Sequence, residues 1–317
     1  MKFRMMKLTF TGNVHFGEGL LSSSAGCFCA DTLFSALCTE LADVPEQLCQ
    51  FVNLTRAHRI LLSDSFPFVN QTLFLPKPCI AVRNQTEADD GNSVRKKMIK
   101  KLHYIPVTDY TAYLHGEMTT EQCTQIVRQL SSIGKSYLTE RVSIDSEKNK
   151  TTPYSVGAYR FRDGSGLWCI FGTEDTEAET LLLSAFQSLQ YTGIGGKRSS
   201  GYGRFSFETA ELPVSLSEAV QNAGQSERKI SLSVCLPCEK EMESALKNAA
   251  YLVMRRSGFV ASPSYSENAR KKNDFFALQA GSCFVNSFMG DVYDVSAAGG
   301  AHSVWRYAIP MFLGVGG

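Results

Sequence analysis

Hydrophobic positions in the first part of the chain switch between a strand period and a helix period. Apolar and polar residues alternate over residues 2–12, which predicts a strand. Apolar residues then recur at helical spacing over residues 32–41, and Asp31 stands where its side chain would cap the first amide groups of that helix. Pro45 suits the first position of a second helix, which is predicted to end before the polar turn at residues 63–65.

Further elements complete the order expected of a known type of fold. Thr119 with Gln122, and Thr176 with Glu179, have the spacing of a capping box, and each pair opens a helical apolar pattern. Strand patterns lie at residues 138–145, 167–171 and 204–210. The order of strand, helix, strands, helix and strand is that of a ferredoxin-like fold, which lays helices on one face of an antiparallel sheet.

The same order begins again in the last third of the chain. Residues 211–228 are polar and predict a linker, although residues 216–223 also fit a helix. Strands are predicted at residues 229–236, 275–280, 283–288 and 304–315, with a helix at residues 239–256. We therefore expect an α+β protein with two ferredoxin-like (RRM-like) domains and antiparallel sheets, at residues 1–210 and 229–317.

An insertion in the first domain is predicted at about residues 83–118. Prolines flank Lys77, so residues 72–75 are limited to an edge strand or a loop. The polar stretch that follows ends in a basic run that contains Arg95, Lys96 and Lys97. This run predicts either a mobile projection that touches RNA or a solvated loop.

Composition and charge narrow the class of protein. Of 317 residues, 44% are hydrophobic, which excludes a disordered chain, and the net charge of +1 excludes a generally basic RNA coat protein. No apolar run approaches the roughly 18 residues of a membrane span, and cations are scattered where a signal peptide would be apolar. We expect a cytoplasmic protein without membrane contact.

The ten cysteines fit reduced core positions better than a metal site. Cys38, Cys123 and Cys169 lie inside apolar periodic stretches, where a free thiol behaves as a small hydrophobic group. Cys235 and Cys238 form a single C-x-x-C pair without a second pair to complete a zinc site. No metal and no cofactor are expected.

A glycine-rich stretch at residues 193–205 carries the clearest chemical signal. Its composition is that of an anion cradle, because glycines allow close backbone approach while cations and hydroxyl groups supply charge and donors. The candidate RNA-binding residues are Gly193, Gly195, Gly196, Lys197, Arg198, Ser199, Ser200, Gly201, Tyr202 and Gly203. Tyr191 and Arg198 stand where a phosphate-binding P-loop needs glycine and Ser or Thr, and a dinucleotide fingerprint also fails. Single-stranded RNA is the expected ligand, and a flexible hairpin turn is the alternative.

These residues resemble a known family. The glycine-rich stretch resembles the loop of the repeat-associated RAMP proteins of CRISPR systems. Five further stretches resemble the family of the fourth subunit of the Csm complex, the type III-A effector. They are Val14-His-Phe-Gly, Asp31-Thr-Leu-Phe-Ser-Ala-Leu, Leu73-Phe-Leu-Pro-Lys-Pro, Arg141-Val-Ser-Ile-Asp and His302-Ser-Val-Trp-Arg-Tyr, so the resemblance spans nearly the whole chain.

The resemblance implies a non-catalytic RNA-binding subunit that acts in antiviral defence. Such a subunit holds the repeat-derived 5′ handle of the CRISPR RNA (crRNA), bridges the large polymerase-like subunit to the backbone subunits, and meets target RNA only indirectly. Beyond the loop, His15 or Phe16 are candidates to stack a base, with a core strand end as the alternative. Arg141 and Lys77 are further candidate RNA contacts, while Arg306 fits a structural or interface role.

Two other functions remain open at this point. Related RAMP proteins cut RNA without metal, using a histidine as acid or base, so an endoribonuclease that processes CRISPR RNA is one alternative. Its candidate residues are His15, His58, His103, His115 and His302, and no pair among them has the spacing of a site. The other alternative is an assembly subunit that never contacts RNA.

Overall fold

The computed structural model describes residues 1–80, 91–145, 150–262 and 264–316, and within them eight α-helices and seventeen strands. The helices are α1 (Ala30–Leu41), α2 (Pro45–Arg56), α3 (Gly91–Lys101), α4 (Tyr110–Leu114), α5 (Thr120–Ser132), α6 (Thr176–Thr192), α7 (Val214–Gln221) and α8 (Met242–Leu246). The strands are β1 (Lys2–Phe10), β2 (Asn13–Val14), β3 (Ile60–Leu62), β4 (Phe66–Val69), β5 (Thr72–Pro76), β6 (Tyr104–Pro106), β7 (Gly134–Asp145), β8 (Lys150–Phe161), β9 (Ser165–Thr173), β10 (Phe205–Glu211), β11 (Arg228–Ser231), β12 (Val253–Arg256), β13 (Phe275–Leu278), β14 (Cys283–Phe284), β15 (Val292–Asp294), β16 (Trp305–Tyr307) and β17 (Phe312–Val315).

A seven-stranded antiparallel sheet organises the first two thirds of the chain. Its order is β10-β1-β9-β4-β5-β6, with β3 also beside β9, and the register places Met6 between Cys169 and Thr209. Strand β9 is buried along its whole length because both faces of the sheet are covered. Leu167 and Phe171 face one core and Trp168 faces the other, as the two-residue period of a strand requires.

Helices α1, α2 and α6 cover one face of this sheet. The starts of α5 and α6 test the two predicted capping boxes. The capping box at Thr119 is confirmed, because Gln122 and Thr119 exchange hydrogen bonds of 2.8 and 3.2 Å. The box at Thr176 is wrong by one residue, since Asp175 is the cap and accepts the amide of Ala178 at 2.9 Å.

Two predictions near the insertion are corrected. Strand β5 is not an edge strand, because β4 and β6 pair with its two sides and Pro76 occupies only its last position. Residues 91–101 of the predicted mobile projection form helix α3, whereas residues 83–90 of that prediction lie outside the described residues. Lys77 lies immediately after β5, and its backbone amide donates to His103 at 2.9 Å.

The last third of the chain is built from small antiparallel sheets. Strands β14-β11-β17 form one sheet, while β12 pairs with β13 and β15 pairs with β16. The predicted helix over residues 239–256 is wrong, because α8 ends at Leu246, Asn248 takes a φ of 57°, and Ala250 pairs with Cys283. The predicted linker contains α7, whose Leu216 is buried, so the helical alternative is confirmed there. The fold is thus mixed α and β with antiparallel sheets.

A buried ion cluster at Asp31 joins the two parts of the chain. Asp31 is not a cap: it lies in the first turn of α1, is only 1% exposed, and accepts hydrogen bonds from Arg256 on β12 and Arg306 on β16. The Arg256 contacts are 2.8 and 2.7 Å long. Burial alone would raise the pKa of Asp31, but the two guanidinium groups outweigh it and hold that pKa below its usual value. Arg306 therefore has the structural role predicted for it.

Asp64 provides a second link beside this cluster. Its Oδ1 accepts the backbone amides of Ala30, at the start of α1, and of Val234, beyond β11, both at 2.8 Å. Burial raises the pKa of Asp64 to about 6, although the two amide hydrogen bonds oppose that rise. Asp64, not Asp31, thus satisfies the first free amide of α1.

Replacing Asp31 by alanine tests the ion cluster. The Asp31→Ala variant leaves the buried Arg306 and the partly buried Arg256 without a carboxylate, so we expect the free energy of unfolding to fall by about 3–5 kcal/mol. Urea denaturation followed by tryptophan fluorescence measures it. The matched control is Asp274→Ala, which removes the partner of the exposed Arg255 and is expected to leave the denaturation midpoint unchanged. Equal effects of the two substitutions would contradict a buried cluster.

Replacing Asp64 by asparagine tests its pKa. The folded-state pKa of about 6 lies above the usual 3.8, so the folded protein binds the proton more tightly and ionisation of Asp64 costs stability as pH rises from about 4 to 7. Asp64→Asn keeps a carbonyl acceptor and cannot ionise. Over that range we expect wild type to lose about 3 kcal/mol of unfolding free energy relative to the variant. A difference that is constant with pH would show that the pKa is not raised.

Candidate nucleic-acid interface

The glycine loop, residues 193–204, connects α6 to β10 through a backbone that side chains would not fit. Gly193, Gly195 and Gly203 have φ angles of 84°, 97° and 79°, in the region that favours glycine. A Cβ on Gly203 would lie 2.1 Å from the carbonyl oxygen of Ile194, and one on Gly195 would lie 2.6 Å from that of His15. These glycines are needed for a close chain crossing, not only for a turn.

Hydrogen bonds fix the glycine loop to the segment around β2. The amide of Gly196 donates to the carbonyl oxygen of His15, and the amide of Gly203 donates to that of Asn13, both at 2.8 Å. The side chain of His15 is buried in turn, and its Nδ1 donates to the carbonyl oxygen of Gly157 at 2.7 Å. The loop is therefore attached on one side to a buried support.

This support corrects the predicted stacking role of His15 and Phe16. The two residues are 7% and 3% exposed, and the ring of Phe16 packs edge-on against Phe10 and Phe28. Burial leaves neither ring a face on which a base could stack. His15 and Phe16 instead lie at the end of a core strand, as the alternative prediction states, and there they position the glycine loop.

The cations of the glycine loop differ in their surroundings. Lys197 takes a left-handed φ of 60°, and its Nζ lies 5.2 Å from the centre of the Tyr154 ring on β8. Arg198 pairs instead with Glu40 on α1 at 3.5 Å, and Glu40 also accepts the hydroxyl of Thr192 at 2.7 Å. Lys197 makes no salt bridge within the described part of the chain, so its charge is the less neutralised of the two.

The β7–β8 hairpin brings a third cation to the same place. The guanidinium of Arg141 on β7 lies 5.4 Å from the centre of the Tyr202 ring and donates to the hydroxyl of Ser200 at 3.2 Å. Arg141 also faces Tyr154 across the hairpin, and Tyr154 approaches Lys197. We call Arg141, Tyr154, Lys197, Ser200 and Tyr202 the loop–hairpin surface.

The polar and charged groups of this surface change the pKa of the Tyr202 hydroxyl. Burial raises the pKa of its hydroxyl, but hydrogen bonds to Thr139, Arg141 and Asn13 and the charge of Arg141 lower it, and the net effect is a pKa below the usual value. Ser199 and Ser200 are exposed at the tip beside it. Tyr202 is only 5% exposed, so its ring supports Arg141 from below, and of the two rings it is Tyr154 that is partly exposed. The surface therefore offers cations, hydroxyl donors and one partly exposed aromatic ring, which are the groups that bind sugar, phosphate and unstacked bases.

The other predicted RNA contacts lie apart from the loop–hairpin surface. Lys77 donates through Nζ to the carbonyl oxygens of Ile99 at 3.1 Å and Lys100 at 3.4 Å, so it stabilises the carboxyl end of α3. Burial lowers the pKa of Lys77 accordingly. Arg95 donates to the carbonyl oxygen of Gly116, whereas Lys96 and Lys97 are exposed on α3.

Sequence reasoning missed Tyr154 because it missed β8. The signal was present, since residues 150–161 contain several threonine, tyrosine and valine residues typical of strands. Pro153 and Gly157 interrupt that pattern. Both are accommodated in the long hairpin, where Pro153 faces Val142 and Gly157 faces Leu138.

The histidines and cysteines do not assemble into a site in the described part of the chain. No hydrogen bond there joins two of the five histidines, and His302 bonds instead to Ser262 at 2.9 Å. Among the described residues, no group of three or more histidine, cysteine or acidic side chains has a metal-binding arrangement. None of the described helices is both long and apolar enough to span a membrane.

Comparison with known proteins relates the whole chain to one family. Residues 224–315 match the family model described as the CRISPR Csm4 C-terminal domain. The CRISPR system Cms protein Csm4 of Mycobacterium tuberculosis is 34% identical over 314 residues, which cover 99% of this chain and 98% of the relative. The protein of the same name from Streptococcus thermophilus is 32% identical over 318 residues, with 99% of each chain covered.

Solved structures agree on the fold. A chain in the Csm3-Csm4 subcomplex of the type III-A CRISPR-Cas interference complex has a TM-score of 0.68 at 19% identity, with 99% of this chain and 100% of that chain covered. A chain in the Csm1-Csm4 cassette in complex with AMPPNP has a TM-score of 0.60 at 18% identity, with 99% and 98% covered.

Proposed function

This chain belongs to the Csm4 family, and from that membership we propose that it is a non-catalytic RNA-binding subunit of a type III-A CRISPR effector complex. In this proposal it holds the repeat-derived 5′ handle of the crRNA. The loop–hairpin surface is the observation that carries the proposal, because it combines Lys197 and Arg141 with exposed hydroxyl groups and the partly exposed ring of Tyr154. Phosphate contacts by such cations supply affinity, and the ring of Tyr154 supplies stacking.

The charge distribution supports RNA binding at one place on the protein and not over its whole surface. The whole chain has a net charge of +1, so affinity must come from charges concentrated in one place. Arg198 forms an ion pair with Glu40, which neutralises its charge and leaves Lys197 and Arg141 as the main cations of the loop–hairpin surface. A short stretch such as one RNA end matches a surface of this size.

The topology supports a RAMP-type first domain at residues 1–210. Strands β10-β1-β9-β4 are neighbours in that order, with α1 after β1 and α6 after β9, as in a ferredoxin-like β-α-β-β-α-β unit. We propose residues 229–317 as the second unit. It keeps antiparallel strands, but within its described residues it lacks the predicted long helix, so its ferredoxin-like character rests on strands alone.

The proposed partners follow from the family. Related chains are seen with Csm3 and with Csm1, so we propose that this chain bridges a backbone subunit and the large polymerase-like subunit in the cytoplasm, and meets target RNA only indirectly. The hairpin offers an apolar surface for such contacts, because Leu138, Val142 and Ile144 are exposed and alternate with Arg141. The three apolar side chains lie on the same face of β7 and Ile144 is 74% exposed, so they form an apolar row of the kind that marks an interaction surface.

Removing the two main cations tests the proposal. For the Lys197→Ala, Arg141→Ala double variant we expect the Kd for handle-bearing RNA to rise about tenfold, because two phosphate contacts are lost. The slope of log K against log salt is expected to fall by roughly 1.4, at about 0.7 per phosphate of a single strand. Fluorescence anisotropy over a salt series measures both quantities.

A matched double variant and the fate of the RNA complete this test. Lys240→Ala with Lys247→Ala also removes two exposed lysines, in the last third of the chain, and is expected to change neither value. An unchanged Kd in the first variant would favour an assembly subunit without RNA contact. Shortening of the RNA that is lost in His15→Ala would favour the endoribonuclease instead.

A further inference from the structure

A cavity of about 500 Å³ lies between the segment that precedes α1, the start of β6 and strand β8. We call it the Asp64 cavity, after the carboxylate in its wall. Its wall includes Cys29, Asp64, His103, Tyr104, Leu130 and Tyr159. Its volume is within the range of small-molecule sites, and its composition combines apolar walls with few polar groups, as in such sites.

One carboxylate oxygen of Asp64, Oδ2, accepts no hydrogen bond from a strong donor among the described residues. Both amide hydrogen bonds, from Ala30 and Val234, go to the same oxygen, Oδ1. The further hydrogen-bond partner of this carboxyl is the thiol of Cys29, which is a weak donor. A ligand that carries an N–H group would therefore find a nearly buried carboxylate oxygen in the cavity wall.

The walls of the Asp64 cavity are flat and held in place. The ring of Tyr159 lies against two glycines, since a Cβ on Gly134 would be 2.6 Å from the ring and one on Gly26 would be 3.4 Å from it. The ring of Phe161 contacts Tyr159 edge-on at 5.0 Å and limits its rotation. The lining also includes the exposed carboxylate of Glu18, so Asp64 is the buried acceptor of the cavity. Rigid aromatic walls with a buried acceptor fit a planar heterocycle that carries an amino group.

The mouth of the cavity lies next to a cationic helix face. His103 borders the mouth and follows α3 by two residues, and Lys101 is three residues, or about 10 Å at most, from Tyr104. Lys97, Lys100 and Lys101 are exposed, while Met98 and Ile99 pack into the core. The exposed lysines of α3 are thus placed to bind phosphates beside the cavity.

We propose that the Asp64 cavity takes one unstacked, amino-bearing nucleobase of the bound RNA. Its amino group donates to the Asp64 carboxylate and its neighbouring phosphates lie along the lysines of α3. The inference rests on the proposed RNA-binding function and adds to it a site that reads a base. Cytosine and uracil distinguish the chemistry, because they have the same size but opposite hydrogen-bonding groups on one edge. Cytosine has an amino donor at C4 and an acceptor at N3, whereas uracil has a carbonyl acceptor at C4 and an N–H donor at N3.

Binding of octacytidine and octauridine to the full chain tests the inference. We expect wild type to bind octacytidine about tenfold more tightly, because the amino group bonds to an ionised acceptor. Asp64→Asn places an amide N–H₂ beside the base, so we expect the preference to reverse in favour of octauridine, whose carbonyl oxygen accepts. A reversal cannot arise from loss of folded protein, which weakens both.

Two further variants sharpen the result. Leu130→Phe adds volume to the cavity wall and is expected to remove the preference between the two octamers while leaving their binding to the loop–hairpin surface. Asp109→Asn removes a carboxylate outside the cavity wall and is the matched control, with an unchanged preference. Fluorescence anisotropy with labelled octamers at constant salt gives all the ratios.

The outcomes separate this inference from the proposed function. If wild type binds neither octamer more tightly than the Lys197→Ala, Arg141→Ala variant does, both proposals are overturned. If the loop variant weakens binding but the octamer ratio is the same in wild type and Asp64→Asn, only the base-reading cavity is overturned. It is also overturned if Asp64→Asn and Leu130→Phe leave the ratio unchanged but reduce copurification of a protein subunit, because the cavity would then hold a partner's side chain.

Discussion

The buried carboxylate of Asp31 requires positive partners, and those partners come from the other end of the chain. Arg256 and Arg306 lie 225 and 275 residues further along the sequence, yet both donate to Asp31 in the first turn of α1. An uncompensated charge at this depth would be strongly destabilising, so the last third of the chain has to dock against α1. Two stretches that resemble the family, around Asp31 and around Arg306, thereby meet in one ion cluster.

Helix α1 connects the ion cluster at Asp31 to the proposed RNA surface. Asp31 lies at its start, and Glu40, near its end, contacts both Arg198 and the last residue of α6. The glycine loop begins directly after α6 and is attached on its other side to His15. Docking of the last third of the chain, the orientation of α1 and the position of the glycine loop are therefore linked. The lysines of α3 are not part of this chain of contacts, which is consistent with a separate role beside the Asp64 cavity.

Local sequence patterns predicted the helices and strands that depend on interactions between residues close in sequence. They failed where contacts with residues distant in sequence determine the local structure. The alternation of β1, the proline start of α2 and the capping box of α5 are all confirmed. The glycine loop and Arg141 were found as candidates because glycine and arginine report backbone freedom and charge directly. The helix predicted over residues 239–256 failed because Ala250 finds a strand partner in Cys283. The sequence leaves Lys77 and Phe16 as candidate RNA contacts because no local signal reveals that Lys77 binds the end of a helix and that Phe16 lies in the core.

The proposed function depends most on RNA lying at the loop–hairpin surface. Ultraviolet crosslinking of the assembled complex with its own crRNA, followed by mass spectrometry of the crosslinked peptides, tests this contact without any substitution. Nucleotides of the 5′ handle are expected to crosslink to the peptide that contains Tyr154, whose partly exposed ring lies beside Lys197, or to the peptide that contains Lys197 itself. Handle nucleotides that crosslink only to other subunits, or to peptides of this chain outside the loop–hairpin surface and the Asp64 cavity, would contradict it.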